Sequence, residues 1–158
     1  MLHFDAKCLA AALVVIAVTG CGSPSDETPS ACLSGPNAYQ RALATAPGQV
    51  TLPGGVPISD CLAENQRGGD LARAGESMVV AATRLNLEGR AAPRGPAPLR
   101  LGYLVGAAER GAANTGGIHA DLVRRMTSAA RSRRSGTRLP PAYLRAYRRG
   151  VDAGNAGG

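Results

Sequence analysis

His119 and Asp121 have the residue types for acid–base chemistry, but their spacing does not suit it. Residues two apart on a helix point away from each other, and no candidate nucleophile accompanies this pair. The pattern is typical of an aspartate favoured by the helix dipole beside an exposed histidine. The other carboxylates are scattered, and no spacing among them picks out an acid–base couple. We therefore predict a non-enzymatic protein with no catalytic residue, no metal site and no cofactor.

Arginine forms the one group of polar side chains with a clear chemical consequence. Residues 122–158 contain nine arginines and one acid, Asp152, whereas residues 21–121 contain eight arginines and nine acids. Guanidinium groups attract phosphates and carboxylates at long range, and this attraction falls as salt rises. The alternative interpretation is a solvated basic face in an arginine-biased proteome. The candidate residues for binding an anionic partner are Arg124, Arg125, Arg131, Arg134, Arg145, Arg148 and Arg149.

The beginning of the chain has the organisation of an export signal. A short polar start is followed by the apolar run 9–18, which has the length of a secretory signal and is too short to span a bilayer. Val18, Thr19, Gly20 and Cys21 come directly after it. This arrangement resembles the signal peptide of bacterial lipoproteins, whose lipobox is a branched apolar residue, a small one, glycine or alanine, and the lipidated cysteine.

The resemblance implies that residues 1–20 are removed and that Cys21 carries a diacylglyceryl thioether. Residues 21–35 would provide the lipid attachment and a flexible tether, and two or more acyl chains give a stable anchor. The implied location is the extracytoplasmic face of the cell membrane, and ordinary secretion is the alternative. Anionic lipid, an acidic envelope polymer or an acidic protein are the partners expected there, and nucleic acid is out of reach.

Two cysteines are left for other roles if Cys8 departs with the signal and Cys21 carries lipid. An exported protein with two remaining thiols, Cys32 and Cys61, most simply forms one disulfide. Closing a loop of about 30 residues would stabilise the fold by about 3.5 kcal/mol through restriction of the unfolded chain. Two free thiols are the alternative.

The elements that must position these residues are helices. Apolar residues recur at three and four residues without convincing alternation, so we predict an all-α, bundle-like domain of four or five helices over residues 36–158. Residues 50–57 contain two prolines and two glycines and are expected to form a loop, and residues 152–158 are expected to fray. Gly102 and Gly106, four apart, would allow a neighbouring backbone to approach closely. The predicted helices cover residues 38–46, 59 to about 88 with an interruption at Gly68 and Gly69, 99–113, 118–134, and 141 onward.

Three functions are compatible with this organisation. The first is a non-enzymatic envelope lipoprotein that binds an anionic partner through its arginine-rich C-terminal helices. The second is a small-ligand carrier or an enzyme whose site is assembled between helices, which requires a concave pocket with converging polar groups. The third is a structural accessory subunit of an envelope complex. We favour the first because the charge of residues 122–158 is the strongest signal in the sequence.

Overall fold

The computed structural model describes residues 27–113, 115, 117–131 and 138–158. In these ranges the chain forms five α-helices, two very short strands and several 3₁₀ helices, so the predicted all-α fold is confirmed. The α-helices are α1 (Pro36–Ala42), α2 (Gly68–Ala91), α3 (Ala97–Ala112), α4 (Gly117–Arg131) and α5 (Pro141–Gly157).

Helices α2 and α4 run in the same direction and are tied together at both ends. Gln66, just before α2, lies 3.3 Å from the imidazole of His119 at the start of α4. At the other end, the Asn86 amide in α2 donates to the carbonyl oxygen of Ala129 in α4 at 3.0 Å. Tyr143, in the first turn of α5, donates to Asn86 at 3.0 Å. Helix α5 therefore begins at the end of the bundle where α2 and α4 finish.

Helix α3 is the central element of the core. Every residue from Leu101 to Ala108 is buried, whereas a helix on the surface of a domain buries one face only. Helices α2, α4 and α5 pack around it. Because the sequence has few large side chains, three tyrosines are among the bulkiest fully buried residues, namely Tyr39, Tyr103 and Tyr143.

The most extensive contact between helices joins α3 to α5, and it depends on glycine. Gly102 faces the carbonyl oxygen of Tyr147, and Gly106 faces that of Val151. A methyl group on either glycine would overlap the facing oxygen. The close backbone approach predicted from the spacing of Gly102 and Gly106 is therefore confirmed.

Helix α5 contributes a matching pair of glycines. Gly150 lies against the carbonyl oxygen of Leu99, and Gly154 lies against that of Tyr103. The residue numbers increase together along the two helices, so α3 and α5 run parallel. Glycine Cα hydrogens directed at carbonyl oxygens are the arrangement of weak Cα–H···O bonds, which recur where helices come this close.

The disulfide between Cys32 and Cys61 is present, as predicted. Its Cα atoms are 5.4 Å apart, and both cysteines are fully buried. Tyr39 of α1 donates a hydrogen bond of 2.9 Å to the carbonyl oxygen of Cys32. Gly111, near the end of α3, packs against the backbone of Ser59. We call this end of the bundle, where α3 finishes and α2 and α4 begin, the disulfide end.

The predicted helix from Ser59 was wrong. Only a 3₁₀ helix, Ile58–Cys61, forms there, and the Ser59 hydroxyl bonds to the neighbouring Asp60 side chain at 3.2 Å instead of capping a helix. The disulfide holds Cys61 in place, and the chain turns before α2 begins at Gly68. The double glycine thus starts a helix, where the sequence indicated an interruption.

Two further expectations from glycine and proline content were wrong. Residues 50–57, predicted as a loop, contain an antiparallel pair of strands, β1 (Thr51–Leu52) and β2 (Val56–Pro57). Residues 152–158, predicted to fray, continue α5 as far as Gly157. Arg110 of α3 donates to two of the last carbonyl oxygens of α5 at 3.0 and 2.8 Å, which satisfies groups that would otherwise need water.

We expect Gly150→Ala to destabilise the protein by roughly 1–3 kcal/mol, because the added methyl group must push two backbones apart. Gly157→Ala is the matched control, since the nearest atom to its added methyl group is the Tyr103 hydroxyl at 3.6 Å. Urea unfolding of the two variants and of the wild type measures both effects. Equal unfolding free energies for the two variants would contradict the assigned role of the glycine contact.

Candidate anion-binding cleft

Arg124 and Arg125 are set apart from the other candidate arginines by a shared counter-ion. Arg125 Nε lies 2.8 Å from one oxygen of Asp121, and Arg124 Nη2 lies 2.6 Å from the other. The hydrogen bond from Arg124 and the charge of Arg125 lower the pKa of the Asp121 carboxyl. Both guanidinium groups are therefore partly neutralised on the side of α4, and we exclude them from the candidate site.

Three other candidates, Arg145, Arg148 and Arg149, line a cleft of about 500 Å³ with Arg94. Arg94 comes from the connection between α2 and α3, and the other three lie on α5. The rest of the lining is Pro93, Ala142 and Ala146, so it contains no acid. We call this cleft the arginine cleft. The end of the bundle at which α2 finishes and α5 begins is called the arginine end.

The four guanidinium groups of the arginine cleft are available for a ligand. Each of these arginines is exposed, and in the described part of the chain none of the four has an ion pair or a side-chain hydrogen bond. The nearest acid along α5 is Asp152, one turn beyond Arg148 and Arg149. Four unneutralised cations from two segments of the chain therefore lie around one open cleft, where they can attract an anion.

A buried polar cluster fixes the first turn of α5, and with it the cleft. The Asn86 side-chain oxygen accepts hydrogen bonds from Tyr143 at 3.0 Å and from Arg90 at 3.1 Å, while its amide donates to α4. Burial raises the pKa of Tyr143 to about 12, so its hydroxyl keeps its proton and remains a donor. One asparagine thus connects α2, α4 and α5.

A second cleft, of about 330 Å³, shares Arg148 with the first. Arg131 and Arg138 are part of its lining, but Leu139 and Leu144 make it more apolar. Six of the seven candidate arginines are thus placed by the structure: two contact Asp121, three line the first cleft, and Arg131 lines the second.

Two candidate residues, Cys21 and Arg134, lie outside the described residues. Sequence reasoning missed Arg94, because it searched for clusters along the chain and Arg94 lies far from α5 in sequence. The only sign of its role in the sequence was that Arg94 is a basic residue between two prolines, in the connection that leads into the next helix. The pairing of Arg124 and Arg125 with Asp121 could not be told from spacing, because Arg149 and Arg148 lie three and four residues from Asp152 and form no ion pair with it among the described residues.

His119 is buried, which corrects the expectation that it is exposed. Its side chain is 3% exposed, and its Nε2 lies 3.3 Å from Gln66 Oε1. Gln66 Nε2 donates to the Cys61 carbonyl oxygen at 3.0 Å and to the Thr28 hydroxyl at 2.8 Å. Since a carbonyl only accepts, the Gln66 amide orientation is set, and the proton of neutral His119 belongs on Nε2. Asp121 is not its partner, because that carboxylate binds Arg124 and Arg125.

Among residues 27–131, without positions 114 and 116, and residues 138–158, no three metal-ligating side chains converge. None of the helices in the described ranges combines the length and apolar character needed to cross a membrane. Comparisons with protein-family models, with curated proteins and with solved structures each found no match.

Burial lowers the pKa of His119, which predicts that acid weakens the fold. The unfolded chain then binds a proton more readily than the folded one, so the stabilisation is present above the ordinary pKa of about 6.5 and is lost as pH falls through the folded value. We expect the urea midpoint to fall between pH 7 and pH 5. In His119→Gln, this pH dependence should be much smaller; an unchanged slope would assign the effect to other groups.

Proposed function

We propose that this protein is a lipid-anchored, non-enzymatic binding module of the bacterial envelope, which uses the arginine end of its helical domain to bind an anionic partner. The observation that carries the proposal is the arginine cleft, in which Arg94, Arg145, Arg148 and Arg149 converge without an acid in the lining. The anchor is proposed from the lipobox that ends at Cys21.

The described fold supports a binding role for the arginine cleft in two ways. First, α5 is held by the glycine contact with α3 and by the Asn86 cluster, so its arginines are presented on a rigid element. Second, arginine presents planar donor pairs that match phosphate and carboxylate oxygens. Because the helix that carries three of the four arginines is fixed before binding, only the arginine side chains themselves have to be ordered by the partner.

The position of the chain's N-terminal part supports the anchor. Thr28 lies against Gln66 at the disulfide end, at the start of α2. The arginine cleft is next to the opposite end of α2, a helix of 24 residues that is about 36 Å long. The proposed lipid attachment and the proposed binding surface therefore approach the domain at opposite ends, so neither blocks the other.

Lipidation at Cys21 is tested by intact-mass measurement of protein extracted from membranes with detergent. We expect a chain that begins at Cys21 and carries diacylglyceryl, and a Cys21→Ala variant that stays unprocessed and without acyl chains. A native protein that starts at another residue, or that leaves the cells without detergent, would remove the anchor from the proposal.

Binding of anions by the α5 arginines is tested on a sulfated polysaccharide column. We expect Arg145→Gln/Arg149→Gln to elute at clearly lower salt than wild type, because two unneutralised cations of one cleft are lost. The control Arg41→Gln/Arg73→Gln removes the same charge from α1 and α2. Equal shifts for the two double variants would show that net charge, and not the cleft, causes retention.

A further inference from the structure

We propose that the arginine cleft belongs to a larger basic face, and that this face lies on the anionic leaflet in which the protein is anchored, so that the domain rests on its side. This inference rests on the proposed function, and it adds the partner, which is the surface of the protein's own membrane. The basic face consists of the six exposed arginines that line the two clefts beside α5, namely Arg94, Arg131, Arg138, Arg145, Arg148 and Arg149.

The two clefts form one surface, because they lie on the two sides of α5 and share Arg148. Arg94 borders the cleft on one side of the helix, and Arg131 and Arg138 border the cleft on the other side. Neither lining contains an acid, and among the described residues none of the six arginines forms an ion pair. The cations of both clefts are therefore available to one partner.

The part of α5 between the two clefts is convex. Gly150 and Gly154 contact α3, which defines the inward side of the helix. Arg145 and Arg148 lie about 140° and 200° around the helix from Gly150, so they point away from the core. Asp152, the only acid on α5, lies one turn further and marks the end of the basic face. A convex helix with an open cleft on each side can be laid against a flat surface.

Apolar side chains lie among the cations, and they favour a bilayer over a soluble polyanion. Leu139 and Leu144 line the second cleft beside Arg131 and Arg138, and both leucines are only partly buried. The interface of a bilayer presents phosphate groups next to a region that accepts apolar atoms, whereas a soluble polyanion presents charge alone. The combination of arginine and partly exposed leucine is therefore complementary to a leaflet of anionic lipid.

The anchor keeps the domain within reach of this partner. Seven residues lead from Cys21 to Thr28, which is held at the disulfide end by Gln66, and they span at most about 25 Å. A domain tethered so closely meets its own leaflet at a high effective concentration, so weak contacts are enough to orient it. Each arginine near an anionic leaflet strengthens the attraction roughly fivefold. The lipid thus holds the protein, and the basic face determines how the domain lies.

The experiment measures how fast an uncharged, arginine-selective dicarbonyl reagent modifies each arginine of the acylated wild-type protein in vesicles, by peptide mass spectrometry. When phosphatidylglycerol is added to phosphatidylcholine, we expect modification of the basic face to slow about fivefold, and high salt should restore it. Arg41 and Arg73, exposed on α1 and α2, are internal controls and should change less than about twofold. Equal slowing of the controls would overturn the assigned orientation.

A leucine variant separates contact with a bilayer from attraction to charge alone. We expect Leu139→Ser to reduce the protection by phosphatidylglycerol about threefold and to leave elution from the sulfated polysaccharide column unchanged. Leu87→Ser removes an exposed leucine from α2, so it is the matched control and should change neither measurement. Unchanged protection in Leu139→Ser would overturn the apolar contact with the leaflet.

A last arm adds the sulfated polysaccharide to vesicles of phosphatidylcholine alone. Protection of the basic face by the polysaccharide, with none by phosphatidylglycerol, would overturn the leaflet as partner and leave the proposed function standing. Absence of protection by either, together with no retention on the column, would refute the proposed function itself.

Discussion

The backbone contact between α3 and α5 is the constraint on which the rest of the structure depends. The described part of the chain has few large apolar side chains, so it cannot stabilise a bundle by filling wide gaps between helices. Glycines on both helices instead allow the backbones of α3 and α5 to touch, namely Gly102 and Gly106 on α3 and Gly150 and Gly154 on α5. Dispersion attraction then acts between the two helix backbones at short range, so the helices are held together although the side chains between them have little volume.

Helix α5 is therefore the element through which packing in the core fixes the position of the arginines on the surface. One of its faces is held against α3 by glycine, and its first turn is fixed by Tyr143 and Asn86. The remaining face carries Arg145, Arg148 and Arg149. Since the packed face allows little rotation of the helix, the direction of the arginines is set by residues that never touch a ligand. The cleft is completed by a connection that α2 and α3 position.

Part of this structure follows from the sequence. The helical period of the apolar residues identifies α2 to α5, and the spacing of Gly102 from the next glycine indicates a close helix contact. Both follow from the sequence because the geometry of a helix interior is regular. The errors occur where tertiary contacts form. Cys61 is bonded to Cys32 just after Ser59, and Arg110 donates to the last carbonyl oxygens of α5. The cleft itself needs Arg94, which no local pattern connects to α5. Proximity between distant segments is a property of the fold and not of either segment.

The disulfide joins two cysteines that both precede the four long helices in the chain. The loop closed by Cys32 and Cys61 contains α1 and the β1–β2 hairpin, and it ends before α2 begins. No disulfide therefore joins the N-terminal third to the four long helices, which are held to one another by packing and hydrogen bonds. A proteolytic cut in the connection at Arg94 would leave two separate polypeptides, and only the first would still be joined to Cys21. Separation of α3 to α5 from the first fragment would then require the contacts between the helices to come apart, but no reductant.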